Sequence, residues 1–192
     1  MAEERKGRKA FTPVHVVHPI PPVFAADSEI LILGSFPSVK SREQQFFYGH
    51  PQNRFWRVLA GVFGGPVPES IDEKRAFLLA HHVAVWDVIR SCTITGSSDT
   101  SIRDVQPNRL EEILAGSRVR TRIFTNGAKA WSLYRKYLFR DPASAVYQIP
   151  ATKLPSTSPA NAAWSLQRLT EAWREAILRE NGQNDESNPI QR

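Results

Sequence analysis

Residues 29–56 read EILILGSFPSVKSREQQFFYGHPQNRFW, which starts like a strand and continues as a long loop that is both aromatic and polar. The apolar run at 29–33 stops at Gly34, a pattern typical of a buried strand that leaves the core. Six aromatic residues then surround His50, Gln52 and Asn53. A simple connection needs only a few residues, so this mixture indicates a pocket rather than a linker.

Strands and helices alternate along the rest of the chain. Further strands are predicted at residues 83–89, 122–125 and 145–149. Helices are predicted at residues 55–63, 70–82, 108–115, 127–138 and 161–179. Ser70 with Glu73 and Asn108 with Glu111 have capping-box spacing, and Pro159 after Ser158 is typical of a helix start. Parallel strands need crossover connections, so this order predicts an α/β fold, a three-layer α/β/α sandwich with a central, mainly parallel four-stranded sheet.

Length and composition favour one domain. The chain has 192 residues, 41% of them apolar, which is enough for a single core. We expect that domain at residues 13–180, with a mobile basic segment at 1–12 and a mobile polar tail at 181–192. No apolar stretch approaches the roughly 20 residues that span a bilayer, and the first ten residues contain no hydrophobic secretory signal. We therefore expect a cytoplasmic, monomeric protein with no membrane partner.

Cysteine count and charge narrow the classes of function. The chain has a single cysteine, Cys92, which excludes an internal disulfide and a four-cysteine iron–sulfur cluster. Its histidines are scattered, so we expect no metal and no cofactor. The net charge of +6 favours an acidic partner, among which nucleic acid is the commonest candidate.

Polar residues follow the predicted strands at the points where the strands end. Gly34, Asp87, Asn126 and the segment that begins at Lys153 each lie near such an end. In open parallel sheets, ligands bind beyond the carboxyl ends of the strands. These four positions are therefore predicted to meet at one binding edge.

Three motifs together resemble a known family. They are Gly34-Ser35-Phe36-Pro37; Tyr48 with His50-Pro51, Asn53 and Phe55-Trp56; and Leu154-Pro155-Ser156-Thr157-Ser158-Pro159-Ala160-Asn161. This combination resembles the uracil-DNA glycosylase superfamily, and within it the hypoxanthine-DNA (deoxyinosine) glycosylases. The resemblance implies a three-layer fold and an enzyme that hydrolyses the bond between a deaminated base and deoxyribose. It also implies base flipping, because the reacting bond is inaccessible inside the stack.

Two positions depart from the better-known branches. Mismatch-specific uracil glycosylases have a water-positioning asparagine where this chain has Phe36, and the classical uracil enzymes have a histidine where it has Leu154. Hypoxanthine glycosylases share these departures. In them the asparagine that matches Asn53 is the implied catalytic residue. Asn53 also suits the role of a cap for the helix predicted at 55–63, and the two roles are compatible.

The resemblance assigns further residues to the base and to DNA. Tyr48 matches the aromatic residue on which the flipped base stacks, Phe36 becomes part of the pocket wall, and backbone groups of Gly34, Ser35 and Phe36 would read a base edge. Asp87, Asn126 and His50 are base-binding candidates, each with a simpler alternative as a turn, cap or structural hydrogen-bonding residue. The DNA-binding candidates are Lys129, Lys153, Pro155, Ser156, Thr157 and Ser158. The serines would contact phosphates, whereas surface lysines are more often merely solvated.

Three functions compete at this point. The first is a monofunctional DNA glycosylase that acts on deaminated bases, hypoxanthine first, and leaves an abasic site. The second is a mismatch-specific uracil or thymine glycosylase, which Phe36 disfavours. The third is a non-catalytic module that binds DNA lesions, suggested by apolar residues at both usual catalytic positions.

Overall fold

The computed structural model describes residues 12–95 and 101–179 of the chain. The terminal segments expected to be mobile, 1–12 and 181–192, lie outside this range except for residue 12. The strands of the described part are Val14–Val17 (β1), Ile30–Gly34 (β2), Val83–Asp87 (β3), Ile89–Ile94 (β4), Arg103–Pro107 (β5), Ile123–Asn126 (β6) and Thr152–Leu154 (β7). The helices are Val39–Gln44 (α1), Phe55–Phe63 (α2), Ile71–Ala80 (α3), Glu111–Gly116 (α4), Ala128–Tyr134 (α5) and Leu166–Leu178 (α6); α5 continues into a π-helical turn at Arg135–Phe139.

The predicted four-stranded parallel sheet is present. Its strand order is β3-β2-β6-β7, and all three pairings are parallel. Strand β2 lies inside the sheet and is buried along its whole length. A strand covered on both faces needs a continuous apolar run, which is what its sequence ILILG supplies.

Helices cover both faces of this sheet. Ile30 and Ile32 point into a core formed with α2, α3 and α6, whereas Leu31 and Leu33 point into a second core with α4 and α5. Alternation along β2 thus divides the molecule into two cores, and burial of each such side chain stabilises the fold by about 1.5–3 kcal/mol. The three-layer α/β/α architecture is confirmed.

A second, smaller sheet was not predicted from the sequence. It is antiparallel, in the order β1-β4-β5. The predicted strand at 83–89 is in fact divided at Val88, whose N–H donates to the Gly34 carbonyl at 2.9 Å, and the chain then enters the small sheet as β4. Strand β1 was not predicted because Val14 and Val17 face solvent, and apolar residues on the solvent side remove the usual alternation of apolar and polar residues.

The fourth strand of the main sheet was placed wrongly. Residues 145–149 form turns rather than a strand, and β7 at Thr152–Leu154 takes the edge position beside β6. Within 145–149 only Val146 is fully buried, while Tyr147 is 42% exposed. An edge strand of three residues needs little apolar character, so its sequence TKL gave no signal.

Three of the five predicted helix starts are correct, those of α2, α3 and α5, and two are wrong. Helix α2 covers the predicted residues, and α3 begins with the predicted capping box, in which the Glu73 N–H donates to Ser70 Oγ and the Ser70 N–H donates to the Glu73 carboxylate. Asn108, in contrast, is buried and its amide donates to the carbonyls of Asp87 and Ile89, so it does not cap α4. Helix α6 starts after Ser165 and not near Pro159.

Candidate active site

The carboxyl ends of the four parallel strands bring the predicted segments together. Gly34 at the end of β2 pairs with Asp87 at the end of β3, and Asn126 at the end of β6 pairs with Leu154 at the end of β7. The loop that follows β7 therefore begins beside Asn126.

Asn53 lies at this edge with its side-chain oxygen occupied. The Phe55 N–H donates to Asn53 Oδ1 at 3.0 Å, and the Thr157 hydroxyl donates to the same oxygen at 2.9 Å. Because the Phe55 N–H can only donate, these contacts fix which end of the amide is oxygen. The Asn53 Nδ2 group makes no hydrogen bond to other residues in the described part of the chain. Asn53 thus lies one residue before Arg54, the N-cap of α2, and its oxygen accepts from the first N–H of that helix. Within the described residues, its two amide N–H bonds are free to donate.

Thr157 joins Asn53 to Asn126 in a directed chain of hydrogen bonds. Asn126 Nδ2 donates to Thr157 Oγ1 at 2.9 Å, and the Thr157 N–H donates to Asn126 Oδ1 at 3.0 Å. Thr157 is fully buried. Both ends of the Asn126 amide are thus engaged by Thr157, so Asn126 ties β6 to the loop after β7.

Thr157→Val is expected to lower the free energy of unfolding by about 2–3 kcal/mol, measured by urea denaturation. The substitution keeps the volume of the side chain but leaves Asn53 Oδ1 and Asn126 Nδ2 short of a partner. Thr170→Val is the matched control, since the half-buried Thr170 hydroxyl donates only to the Leu166 carbonyl of its own helix in a solvent-exposed hydrogen bond, and valine keeps the methyl group beside Gly61. We expect the control to change stability by less than about 0.5 kcal/mol; equal effects of both substitutions would contradict the assignment.

Arg54 organises the loop after β7, and sequence reasoning missed it. Its guanidinium donates to the carbonyls of Ser158 (2.8 Å), Asn161 (3.0 Å) and Trp164, with a longer contact to Thr157 O (3.4 Å). Several carbonyls that converge on one planar cation give this loop a defined shape without regular secondary structure.

The predicted DNA-binding residues lie on or beside this loop. Ser156 Oγ accepts from the Ser158 N–H and Ser158 Oγ accepts from the Ala160 N–H, so both serines form local turns. The Pro155 carbonyl accepts from Trp173 Nε1 at 2.9 Å. The two lysines are half-buried; the ammonium of Lys153 lies 5.1 Å from the centre of the Trp131 ring, and Lys129 lies in the first turn of α5.

Tyr48 lies between the aromatic core and Gly34. Its ring stacks on Phe55 with centroids 3.7 Å apart, and its φ of +53° is unusual for a bulky residue. The hydroxyl is buried and has no hydrogen-bond partner in the described structure. Burial, and to a smaller extent the nearby Asp87 carboxylate, raises the pKa of this phenol far above its usual value. The Asn126 amide offsets this rise slightly but does not reach hydrogen-bonding geometry with the hydroxyl.

Asp87 is paired with a histidine that the sequence analysis did not single out. His18 Nε2 lies 2.8 Å from Asp87 Oδ2, and the side chains are 2% and 5% exposed. The imidazole contacts Phe36 edge-on, with ring centroids 5.9 Å apart. Phe36 is itself buried and lies beside the edge formed by the carboxyl ends of the parallel strands.

The remaining candidates have local roles in the structure. His50 Nδ1 accepts from the Gln52 N–H at 3.2 Å and its carbonyl accepts from the Asn53 N–H at 2.8 Å, so His50 shapes the turn before Asn53. The Ser35 carbonyl accepts from the Ile89 N–H at 3.1 Å. These contacts describe where both residues lie and leave their contact with a base as a prediction.

Two cavities of about 430 Å³ lie away from the binding edge, one near Ile30 and Arg122 at the opposite edge of the sheet and the other near Val17 and Pro107 beside the small sheet. Across residues 12–95 and 101–179, no helix is long and apolar enough to cross a bilayer, and no cluster of three His, Cys, Asp or Glu side chains is arranged to hold a metal ion.

Comparison with known proteins gives consistent matches. Residues 21–179 match the model of the uracil DNA glycosylase superfamily. Two curated relatives, both named hypoxanthine DNA glycosylase, are similar over most of their length: the protein of Methanosarcina acetivorans is 34% identical over 163 residues, and that of Methanosarcina barkeri is 30% identical over 160 residues. Each alignment covers 83% of this chain and 96% of the relative. A solution NMR structure of a candidate uracil DNA glycosylase from M. acetivorans superposes with a TM-score of 0.65 at 30% identity, covering 82% of this chain and 96% of that one.

Proposed function

The chain belongs to the uracil DNA glycosylase superfamily, and from that premise we propose that it excises hypoxanthine from DNA by hydrolysis and leaves an abasic site. The names of the two relatives support hypoxanthine as the first substrate. The observation that carries the proposal within this chain is the free amide of Asn53 at the carboxyl edge of the sheet.

Asn53 acts in this proposal as a donor. Its oxygen already accepts two hydrogen bonds, so the group that remains for water is Nδ2. Water that accepts from Nδ2 keeps a second lone pair for attack on C1′ of the sugar. The bond from C1′ to the base nitrogen breaks, the base leaves as an anion, and the proton that water loses neutralises that anion. Cleavage through a cationic sugar needs an oriented water more than a strong base, and a neutral amide fulfils that need without a buried charge.

Binding of the base includes an opening step. Asp87 is 4% exposed in the free protein, so a purine reaches its carboxylate only after neighbouring side chains move apart. Tyr48, whose ring is supported by Phe55, remains a proposed base-binding residue. Closure of the site around a flipped base would also keep bulk water away from the reacting bond.

The loop after β7 is the proposed contact with the DNA backbone. Arg54 holds it in shape, and Lys129 and Lys153 place positive charge beside it. Ser156 and Ser158 would then contact phosphates from turns that already exist. We further propose that the protein is a single domain at 13–180 that acts as a cytoplasmic monomer, and that the reaction uses neither metal nor cofactor.

A uracil glycosylase is the second candidate, because the similar solved structure is described as a candidate uracil DNA glycosylase. Phe36 disfavours it, since a phenyl ring cannot orient water. A lesion-binding module without turnover remains the third.

A panel of lesions separates these candidates. Duplexes that contain hypoxanthine, uracil opposite guanine, or xanthine are incubated with the protein and treated with alkali. We expect alkali-dependent strand breaks that form fastest at hypoxanthine. Faster breaks at uracil would favour the second candidate, and binding without breaks at any lesion would reject the glycosylase in favour of the third.

A further inference from the structure

The Asp87 carboxylate is held by a histidine whose proton position is fixed. His18 Nδ1 accepts from the Ile20 N–H at 3.1 Å, so this nitrogen carries no proton. Nε2 therefore carries the proton of the neutral ring and donates it to Asp87 Oδ2 at 2.8 Å. One oxygen of the carboxylate is thereby turned toward His18 and the other, Oδ1, toward the binding edge.

The rest of the structure keeps this pair in place. The Asp87 carbonyl accepts from Asn108 Nδ2 at 2.9 Å, and the His18 N–H donates to Arg90 O at 2.7 Å. The imidazole is enclosed by three aromatic rings, those of Phe36, Phe47 and Trp86. The orientation of Asp87 is therefore built in before any ligand arrives.

Asp87 Oδ1 and the Tyr48 hydroxyl meet above Gly34 without satisfying each other. A Cβ atom added to Gly34 would lie 2.1 Å from Asp87 Oδ1 and 3.2 Å from the Tyr48 hydroxyl, so only glycine leaves room for both. The hydroxyl is nevertheless buried without a hydrogen-bond partner. A buried polar group without a partner destabilises the protein by about 1–3 kcal/mol, so a third group that satisfies it is favoured at this place.

We propose that Asp87, oriented by His18, selects bases whose edge presents an N–H beside a C=O. The N–H donates to Asp87 Oδ1, and the adjacent carbonyl oxygen accepts from the Tyr48 hydroxyl. His18 is a positioning residue that acts through Asp87. This inference rests on the proposed function, because it assumes that a flipped base reaches the edge.

Asp87 Oδ1 accepts a hydrogen bond and the Tyr48 hydroxyl donates one. This arrangement explains discrimination between two purines of the same size. Hypoxanthine carries N–H at position 1 and an oxygen at position 6, whereas adenine carries a lone pair at position 1 and an amino group at position 6. A carboxylate has no hydrogen to donate to the adenine lone pair. Adenine would thus leave the buried Asp87 Oδ1 facing a second acceptor, which is strongly unfavourable.

Binding without cleavage tests the proposal. The probes are oligonucleotides with 2′-fluoro-2′-deoxyinosine, 2′-fluoro-2′-deoxyadenosine or the 2′-fluoro nucleoside of unsubstituted purine, each opposite an abasic spacer so that no base pair must be broken. We expect wild-type protein to bind the hypoxanthine probe about 30-fold more tightly than either other probe. Equal binding of the three probes would overturn the proposal without any variant.

Asp87→Asn should abolish this preference. His18 Nε2–H would hold the amide oxygen and turn the amide N–H bonds toward the base, where they suit the adenine lone pair. The ratio of hypoxanthine to adenine affinity is expected to fall from about 30 to below about 3. Asp27→Asn is the matched control because it changes the exposed His82–Asp27 pair, and it should keep the wild-type ratio. An unchanged ratio in a folded Asp87→Asn protein would overturn the proposal.

Two variants test His18. His18→Ala should lower the affinity ratio about tenfold, and His18→Gln should restore most of it because a glutamine amide can donate to Asp87 Oδ2. An equal loss of affinity for both bases would give His18 a packing role and overturn its part in selection. Excision of deoxyinosine by wild type is measured separately, so a failure of the glycosylase function is distinguishable from a failure of base selection.

Discussion

Asn53→Asp is expected to lower the single-turnover rate of hypoxanthine excision by about 10²–10³-fold while lesion binding is retained. A carboxylate at this position still accepts from the Phe55 N–H and the Thr157 hydroxyl, so the start of α2 and its tie to the loop are kept. What the substitution removes is the pair of amide N–H bonds. The variant therefore separates donation to water from the structural role of the residue.

Asn53→Ala provides the comparison. It should lose a similar factor in rate and, in addition, about 1–2 kcal/mol of stability, because the Phe55 N–H and the Thr157 hydroxyl lose the oxygen to which they donate. Rates are compared under single-turnover conditions and stabilities by urea denaturation. An Asn53→Asp protein that is as fast as wild type would show that position 53 works as a proton acceptor, contrary to the role proposed here.

Arg54→Met is expected to lower the free energy of unfolding by about 2–4 kcal/mol and to weaken DNA binding at least tenfold. The guanidinium joins carbonyls of the loop after β7 that have no helix or strand to satisfy them. Methionine keeps much of the apolar stem and removes every donor. Thermal or urea denaturation gives the stability, and fluorescence anisotropy with a labelled duplex gives the affinity.

Arg57→Met is the matched control for this substitution. Arg57 lies in the first turn of α2, three residues after Arg54, is exposed and also carries one positive charge, so both variants lose the same charge. We expect the control to change stability by less than about 0.5 kcal/mol and to weaken DNA binding less than Arg54→Met does. Similar affinities of the two variants would show that Arg54 contributes charge rather than loop shape.

Much of the architecture is encoded in short-range signals. The run ILILG gives a buried central strand, and the Ser70 capping box gives the start of α3. Because carboxyl ends of parallel strands share one edge, Gly34, Asp87 and Asn126 could be grouped from the sequence before their contacts were known. The structure brings these positions together with Thr157.

The contacts that complete the site are long-range and leave no local pattern. His18 meets Asp87 across 69 residues, and Arg54 reaches carbonyls more than 100 residues away. In the sequence, His18 lies in an irregular segment and Arg54 lies before a helix. Neither position has a local pattern that distinguishes it from a surface residue. Strand β7 was not predicted for a related reason. An edge strand pairs on one side only, so it needs little of the apolar character by which strands are predicted. Apolar periodicity cannot reveal interactions that depend on tertiary geometry.

The identity of the reaction products tests hydrolysis of the glycosidic bond most directly. Wild-type protein is incubated with a duplex that carries one deoxyinosine, and the mixture is analysed by mass spectrometry before any alkali is added. We expect free hypoxanthine in equal amount to an intact strand with an abasic site. Absence of the free base, or a strand already cleaved without alkali, would contradict a monofunctional glycosylase that works by hydrolysis.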